Sequence, residues 1–218
     1  LWVTVNMVQS FLTEVISDEA YYFLYGKFLD WGYYDHPPMV GFLVRLSSLF
    51  FKGNLGIRFF TVILQAGTLL LIWSSVTVIK NARSQILYFF LIAASIVMFS
   101  AYGFITTPDS PLLFFTALFV YAYKRFLEKE NLGYTFLMSL AMAGLVYSKY
   151  HGVLIIGLVV LSNLRILRSW KFWFAGICAV IMLAPHLAWQ IGNDFVSFRF
   201  QLSGRSEGFR MIYFLEYL

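Results

Sequence analysis

Long stretches without a single charge divide the chain. Residues 59–79 and 84–108 each exceed the roughly 20 apolar residues that cross a bilayer core, and 131–148 and 172–193 have similar reach. Two shorter windows, 110–123 and 152–164, lengthen to a full span when Lys124 and Arg125, or Arg165, extend their stems to the interface. Residues 17–49 follow another pattern. "SDEAYYFLYGKFLDWG" predicts a short helix with Ser17 as N-cap, acids in its first turn and Gly32 just past its end. "PPMVGFLVRLSSLFF" predicts a second helix opened by proline. Both are apolar with a few charges, as expected of helices lying in a membrane interface.

The expected fold is therefore all-α: a polytopic transmembrane helical bundle with interfacial juxtamembrane helices in its first outer loop. Residues 1–16 would end a first span, 17–56 form that loop, 57–193 supply about six spans, and 194–218 enter another outer loop. The chain begins within an apolar stretch, "LWVTVNMVQSF", and stops at "FLEYL". It is expected to be the N-terminal part of a longer protein, trimmed at its start, with a C-terminal part absent.

Composition strengthens the membrane reading. The 218 residues are 60% hydrophobic and 12% charged, about half the charge of a soluble domain, and mean hydropathy is +0.74. One cysteine, Cys178, excludes both a disulfide framework and a CxxC metal site. No cleavable signal peptide is legible. The net charge of +5 matters through its distribution and implies no nucleic-acid partner. Strict alternation of spans places Lys80, Arg83, Lys124, Arg125, Lys129, Arg165, Arg168 and Lys171 on one face. Only Lys149 falls in the short loops opposite, which makes the basic face cytoplasmic.

That sorting gathers the candidate chemistry outside. Asp18, Glu19, Asp35 and Asp109, with His36, His151 and Lys149, come from three separate loops to one face. Each has a plain alternative. Asp18 and Glu19 suit a helix's first turn, "DHPP" suits a turn, and "TTPDSP" suits a proline-stiffened hairpin with Asp109 as the next N-cap. Lys149 suits an interfacial anchor, His151 a loop, and His186 a satisfied polar group within the bundle. Tyr21, Tyr22, Trp31, Tyr33 and Tyr34 suit an aromatic belt better than a sugar platform. Taken together, ionisable groups at a membrane point to function. A carboxylate can deprotonate a hydroxyl, carboxylate and imidazole can hold a divalent metal, and an ammonium can stabilise a phosphate leaving group.

The ordered set "SDEAYY … GYYDHPPMVGFLVRL … GIRFF … TTPDSPLLFF … GLVYSKYHGVL" resembles the N-terminal half of the C-type glycosyltransferase superfamily that contains the dolichyl-phosphate-mannose protein mannosyltransferases and the aminoarabinose transferases. The resemblance covers residues from about 15 to 160. It implies an integral, multi-pass protein of a bacterial inner membrane, its active site facing the periplasm. The implied partners are the bilayer, a polyprenyl-phosphate-linked sugar, and an acceptor protein, lipid or glycan. It also implies roles. Asp18, Glu19 and Asp109 stand at catalytic positions, and Asp35, His36 and Asp109 where related enzymes hold metal, here Mg or Mn. His36, Lys149, Arg58, Arg45 and Tyr21 stand as substrate- or phosphate-binding candidates. Aminoarabinose transferases carry a basic residue three positions after the first acid, where this chain has Tyr21; aminoarabinose transfer is correspondingly disfavoured.

The expected reaction is a single inverting displacement, with Asp18 as general base. Two rivals belong to other classes. A transporter or flippase would place ionisable groups at midplane depth in broken helices, whereas these charges avoid the spans. A non-catalytic membrane subunit would use the acids as caps, which tolerate Asn.

Overall fold

A computed structural model describes residues 1–76, 81–96, 99 and 102–204, and among them the chain is helical without a strand. The helices are α1 (Trp2–Leu12), α2 (Ser17–Lys27), α3 (Met39–Phe50), α4 (Gly53–Val76), α5 (Ala82–Ser95), α6 (Asp109–Glu128), α7 (Leu132–Ser148), α8 (Gly152–Ser162), α9 (Trp170–Gly192) and α10 (Val196–Arg199). A 3₁₀ turn, Leu164–Arg168, joins α8 to α9. Lys80 and residues 205–218 of the last expected loop lie outside the described residues.

Two helices, α4 and α9, are long and apolar enough to cross a membrane by length and composition. Apolar side chains also face outward beyond these two helices. Leu154, Leu158 and Leu161 on α8, Ile177, Val180 and Ile181 on α9, and Phe90 and Leu91 on α5 are all more than half exposed. Thr61, Gln65 and Thr68 on α4, and Thr135 and Ser139 on α7, are fully buried. An apolar outside around a partly polar inside is the arrangement lipid favours and water does not.

The core is built where α7 packs against both α6 and α9. Phe119, Ala122 and Phe126 meet Met138, Ala141, Met142 and Leu145, and then Phe172, Ala175 and Ala179. Small residues let the helix axes approach. At Gly144 a Cβ would lie 2.2 Å from the Phe115 ring. Gly144→Ala is therefore expected to destabilise by about 1–3 kcal/mol through overpacking. Thermal unfolding in detergent measures it, and an unchanged midpoint would mean that Phe115 moves aside freely.

α2 packs on α3, α3 on α4, and α1 and α6 on α4, so the helices of residues 17–50 join the bundle through α4. Several local expectations are corrected. Ser17 is the first residue of α2 and Ile16 its N-cap; Glu19 Oε2 accepts from Ile16 N–H at 3.3 Å. The helix stops at Lys27, so Gly32 is no C-terminal cap. Gly32 is needed for close approach instead, because a Cβ there would lie 2.3 Å from the Trp189 ring. Asp109 is the first residue of α6, after Pro108, rather than its N-cap. α4 begins at Gly53 and takes Arg58 inside, where partners described below neutralise its charge. Finally, residues 84–108 do not form one continuous helix. α5 ends at Ser95, and Thr106 N–H is used by Glu19 Oε1 at 2.9 Å, which a helical partner would otherwise take.

Candidate active site

α2 carries Asp18 and Glu19 in successive positions, and the ~100° rotation per residue sends them to different surroundings. Asp18 is exposed and makes no hydrogen bond or ion pair among the described residues. One turn on, Tyr22 is buried. Its phenol is pushed well above the ordinary tyrosine range, first by burial and then by the charges of Asp35, Asp18 and Asp109. Carboxylates from two separate loops are therefore near enough for their charges to act on one phenol.

Asp35 is held from the α2 side. The Tyr21 hydroxyl donates to its Oδ1 at 3.1 Å, and the Tyr25 hydroxyl donates to the same oxygen at very short range. The two phenols lie 2.7 Å apart. Positions i and i+4 share a helix face, which is why both reach one acceptor. Burial raises both phenols, so they stay protonated and remain donors. Tyr25 also stacks flat on Tyr33, with centroids 3.6 Å apart. His36 is buried with its ring centre 5.9 Å from that of Tyr22 and the two planes at 67°, and its Nε2 lies 3.6 Å from Asp35 Oδ2.

Across from these groups, Lys149 Nζ donates to Asp109 Oδ1 at 2.7 Å, joining the end of α7 to the start of α6. This pair is partly exposed, 23% and 47% for the two side chains, so the ammonium can be shared with an incoming anion. His151 stands exposed at the start of α8.

Glu19 and Arg58 have a different placement. Both are fully buried. Arg58 Nε donates to Glu19 Oε1 at 2.8 Å and Nη2 to Oε2 at 2.5 Å. Its remaining N–H groups go to the carbonyls of Ser10, Thr13 and Glu14, and its guanidinium lies 5.1 Å from the Phe104 ring centre. All five donors are spent inside the protein, leaving none for a phosphate, and both Glu19 oxygens are occupied. This cage ties α1, α2, α4 and the loop before α6 together, and with them Asp18 and Asp109. Arg45 lies exposed on α3 and forms no ion pair with the acids among the described residues.

The donor set does not assemble a divalent site. Among the described residues no three His, Cys, Asp or Glu side chains gather at metal-binding range. Asp109 is committed to Lys149, and Asp35 to two phenols.

Tyr21, Tyr22, Tyr25, Asp35 and His36 form one contact group and Lys149 with Asp109 a second; the charges of Asp18, Asp35 and Asp109 all act on Tyr22, and the helical spacing of Tyr22 and Tyr25 from Asp18 and Tyr21 is the signal that could find them. An unpaired carboxylate, a shareable ammonium and a wall of phenols suit proton removal beside a developing anion.

Residues 35–189 match the dolichyl-phosphate-mannose-protein mannosyltransferase family. The chain is 26% identical over 210 residues to the lipid A galacturonosyltransferase RgtD of Rhizobium johnstonii, covering 89% of this chain and 42% of that protein. It thus spans about two-fifths of the length of that relative. No solved structure matches.

Proposed function

Because the chain belongs to the dolichyl-phosphate-mannose-protein mannosyltransferase family, we propose that it is the N-terminal part of a polytopic membrane glycosyltransferase. Its donor is a sugar on a polyprenyl-phosphate carrier, and its acceptor is a hydroxyl or phosphate of a protein, lipid or glycan at the periplasmic face. The observation that carries this reading is the exposed Asp18 carboxylate, free of any ion pair among the described residues, one turn before a buried phenol that also feels the charges of Asp35 and of the Asp109 that Lys149 holds.

For a hydroxyl acceptor, Asp18 takes the proton as the oxygen attacks the anomeric carbon. The bond from that carbon to the carrier phosphate breaks with inversion, and its electron pair stays on the phosphate oxygen. Lys149 leaves its half-exposed partner far enough to stabilise that charge. Carboxylates nearby also favour the oxocarbenium character of the transition state. Asp35, pinned by Tyr21 and Tyr25, shapes the wall beside the acceptor. The similarity to a lipid A galacturonosyltransferase makes galacturonosyl donor and lipid A acceptor the first pair to try, with a mannosyl donor and protein acceptor as the second.

The test is incubation of membranes holding the full-length protein with both labelled polyprenyl-phosphate sugars, followed by identification of the labelled product. Label that stays on the carrier with every acceptor class would overturn the reading, and carrier-linked sugar moved across the bilayer without transfer would mark a flippase. Since Asp35 is committed to two phenols and Asp109 to an ammonium, transfer is expected to persist in EDTA. A chelation-sensitive rate restored by Mg or Mn would return Asp35, His36 and Asp109 to the role of metal ligands.

A further inference from the structure

Lys149 sits where α7 ends, its backbone extended at φ −161° and ψ 140°. The residue that follows is anchored elsewhere. The Tyr150 hydroxyl accepts from Gln190 Nε2 at 2.8 Å and lies 3.3 Å from His186 Nε2. His186 Nδ1 lies 2.6 Å from the Trp31 carbonyl oxygen. A carbonyl only accepts, so Nδ1 carries the hydrogen, and in the neutral imidazole Nε2 is left as acceptor for the Tyr150 O–H. The direction of the chain follows: Gln190 to Tyr150, Tyr150 to His186, His186 to Trp31.

Three features show that this chain is more than packing. His186 and Gln190 are almost wholly buried polar side chains on one face of α9, one turn apart. Gln190 Oε1 is buried with no partner among the described residues, an unfavourable arrangement that an aliphatic residue would relieve. Burial also pushes the Tyr150 phenol up to about 12, so it stays a donor at ordinary pH. The far end of the chain, the Trp31 carbonyl, belongs to the loop that leads into Asp35 and His36. Ser197 and Gln201 hold that same loop through the carbonyls of Tyr33 and Asp35.

We propose that Tyr150 is a positioning residue for Lys149: locked to α9 by His186 and Gln190, it fixes the turn that aims the ammonium at Asp109 and at the carrier phosphate. The inference rests on the phosphate role given to Lys149 above. It concerns the hydroxyl alone, since the Tyr150 ring keeps its contact with Phe198, 4.8 Å between centroids, when the hydroxyl is removed.

The experiment is a double-mutant cycle on the full-length protein in detergent, read as the Kd for undecaprenyl monophosphate. Lys149→Ala is expected to weaken binding by roughly tenfold or more, the loss of a charge-assisted contact. Tyr150→Phe should weaken it roughly fivefold in the native background and not at all in the Lys149→Ala background, because coupled residues are not additive. A side chain that merely stabilised the bundle would give the same loss in both. Gln190→Leu removes the donor to the phenol without burying a new polar group, and should reproduce the coupled pattern where Tyr150→Phe folds poorly. Unchanged binding in Tyr150→Phe, or an equal loss in the two backgrounds, overturns the proposal. Unchanged binding in Lys149→Ala overturns instead the phosphate role beneath it.

Discussion

Asp18→Asn is expected to lower the rate of sugar transfer by roughly 10²–10⁴-fold, the usual contribution of a positioned general base, with folding and membrane insertion intact. The size of the contrast comes from how little else Asp18 does. Its carboxylate is exposed and engages no partner among the described residues, so the near-isosteric amide disturbs no contact. The favourable effect of an anion in the first turn of α2 is lost, about 0.3–1 kcal/mol at an exposed site, too little to unfold a bundle. Initial rates with labelled donor, normalised to protein recovered in the membrane, measure the effect. Asp109→Asn should retain more activity, because Asp109 acts through Lys149. Full activity in Asp18→Asn would remove the base assignment. Full activity in Asn variants at 18, 35 and 109 alike would favour a non-catalytic subunit whose acids only cap helices.

The contrast between Asp18 and Glu19 shows what the sequence could and could not convey. Read along the chain, two adjacent acids look like one catalytic pair. Helical rotation separates them, and the burial of Glu19 depends on Arg58, 39 positions away, which no local pattern announces. Arg58, which the family resemblance offers as a phosphate partner, spends its donors on a carboxylate and three backbone carbonyls instead, and these let it enter the helix. The apolar windows are legible as helices, at the approximate positions of α4, α6, α7, α8 and α9, of which α4 and α9 are long and apolar enough to cross a membrane. The end of α5 at Ser95 is not legible there, nor is the Thr106 N–H that goes to a side chain 87 positions away. Tyr25 and Tyr150 escaped notice because aromatic residues crowd every membrane interface, and only geometry separates a phenol that holds a carboxylate from one in a belt.

Arg58→Ala is expected to cause the largest loss of stability of any single substitution in the outer region. Removing one partner of a buried ion pair strands the other, at about 3–5 kcal/mol, and here Glu19 would keep only the N–H groups of Ile16 and Thr106. The carbonyls of Ser10, Thr13 and Glu14 would lose their donors as well. Lysine should not rescue, since a single ammonium cannot replace a fork that serves four residues from two directions. Glu19→Gln should be damaging too, and the double variant Arg58→Met with Glu19→Leu should be less unstable than Arg58→Ala, because it leaves no charge stranded. Thermal unfolding and protease resistance of the detergent-solubilised protein rank the four. The same cage sets the distance between α2, which bears Asp18, and the Thr106 loop, which leads into Asp109. Transfer should therefore fall further in the double variant than its stability alone accounts for. A double variant with native transfer would show that Asp18 and Asp109 find their places without the Glu19–Arg58 cage.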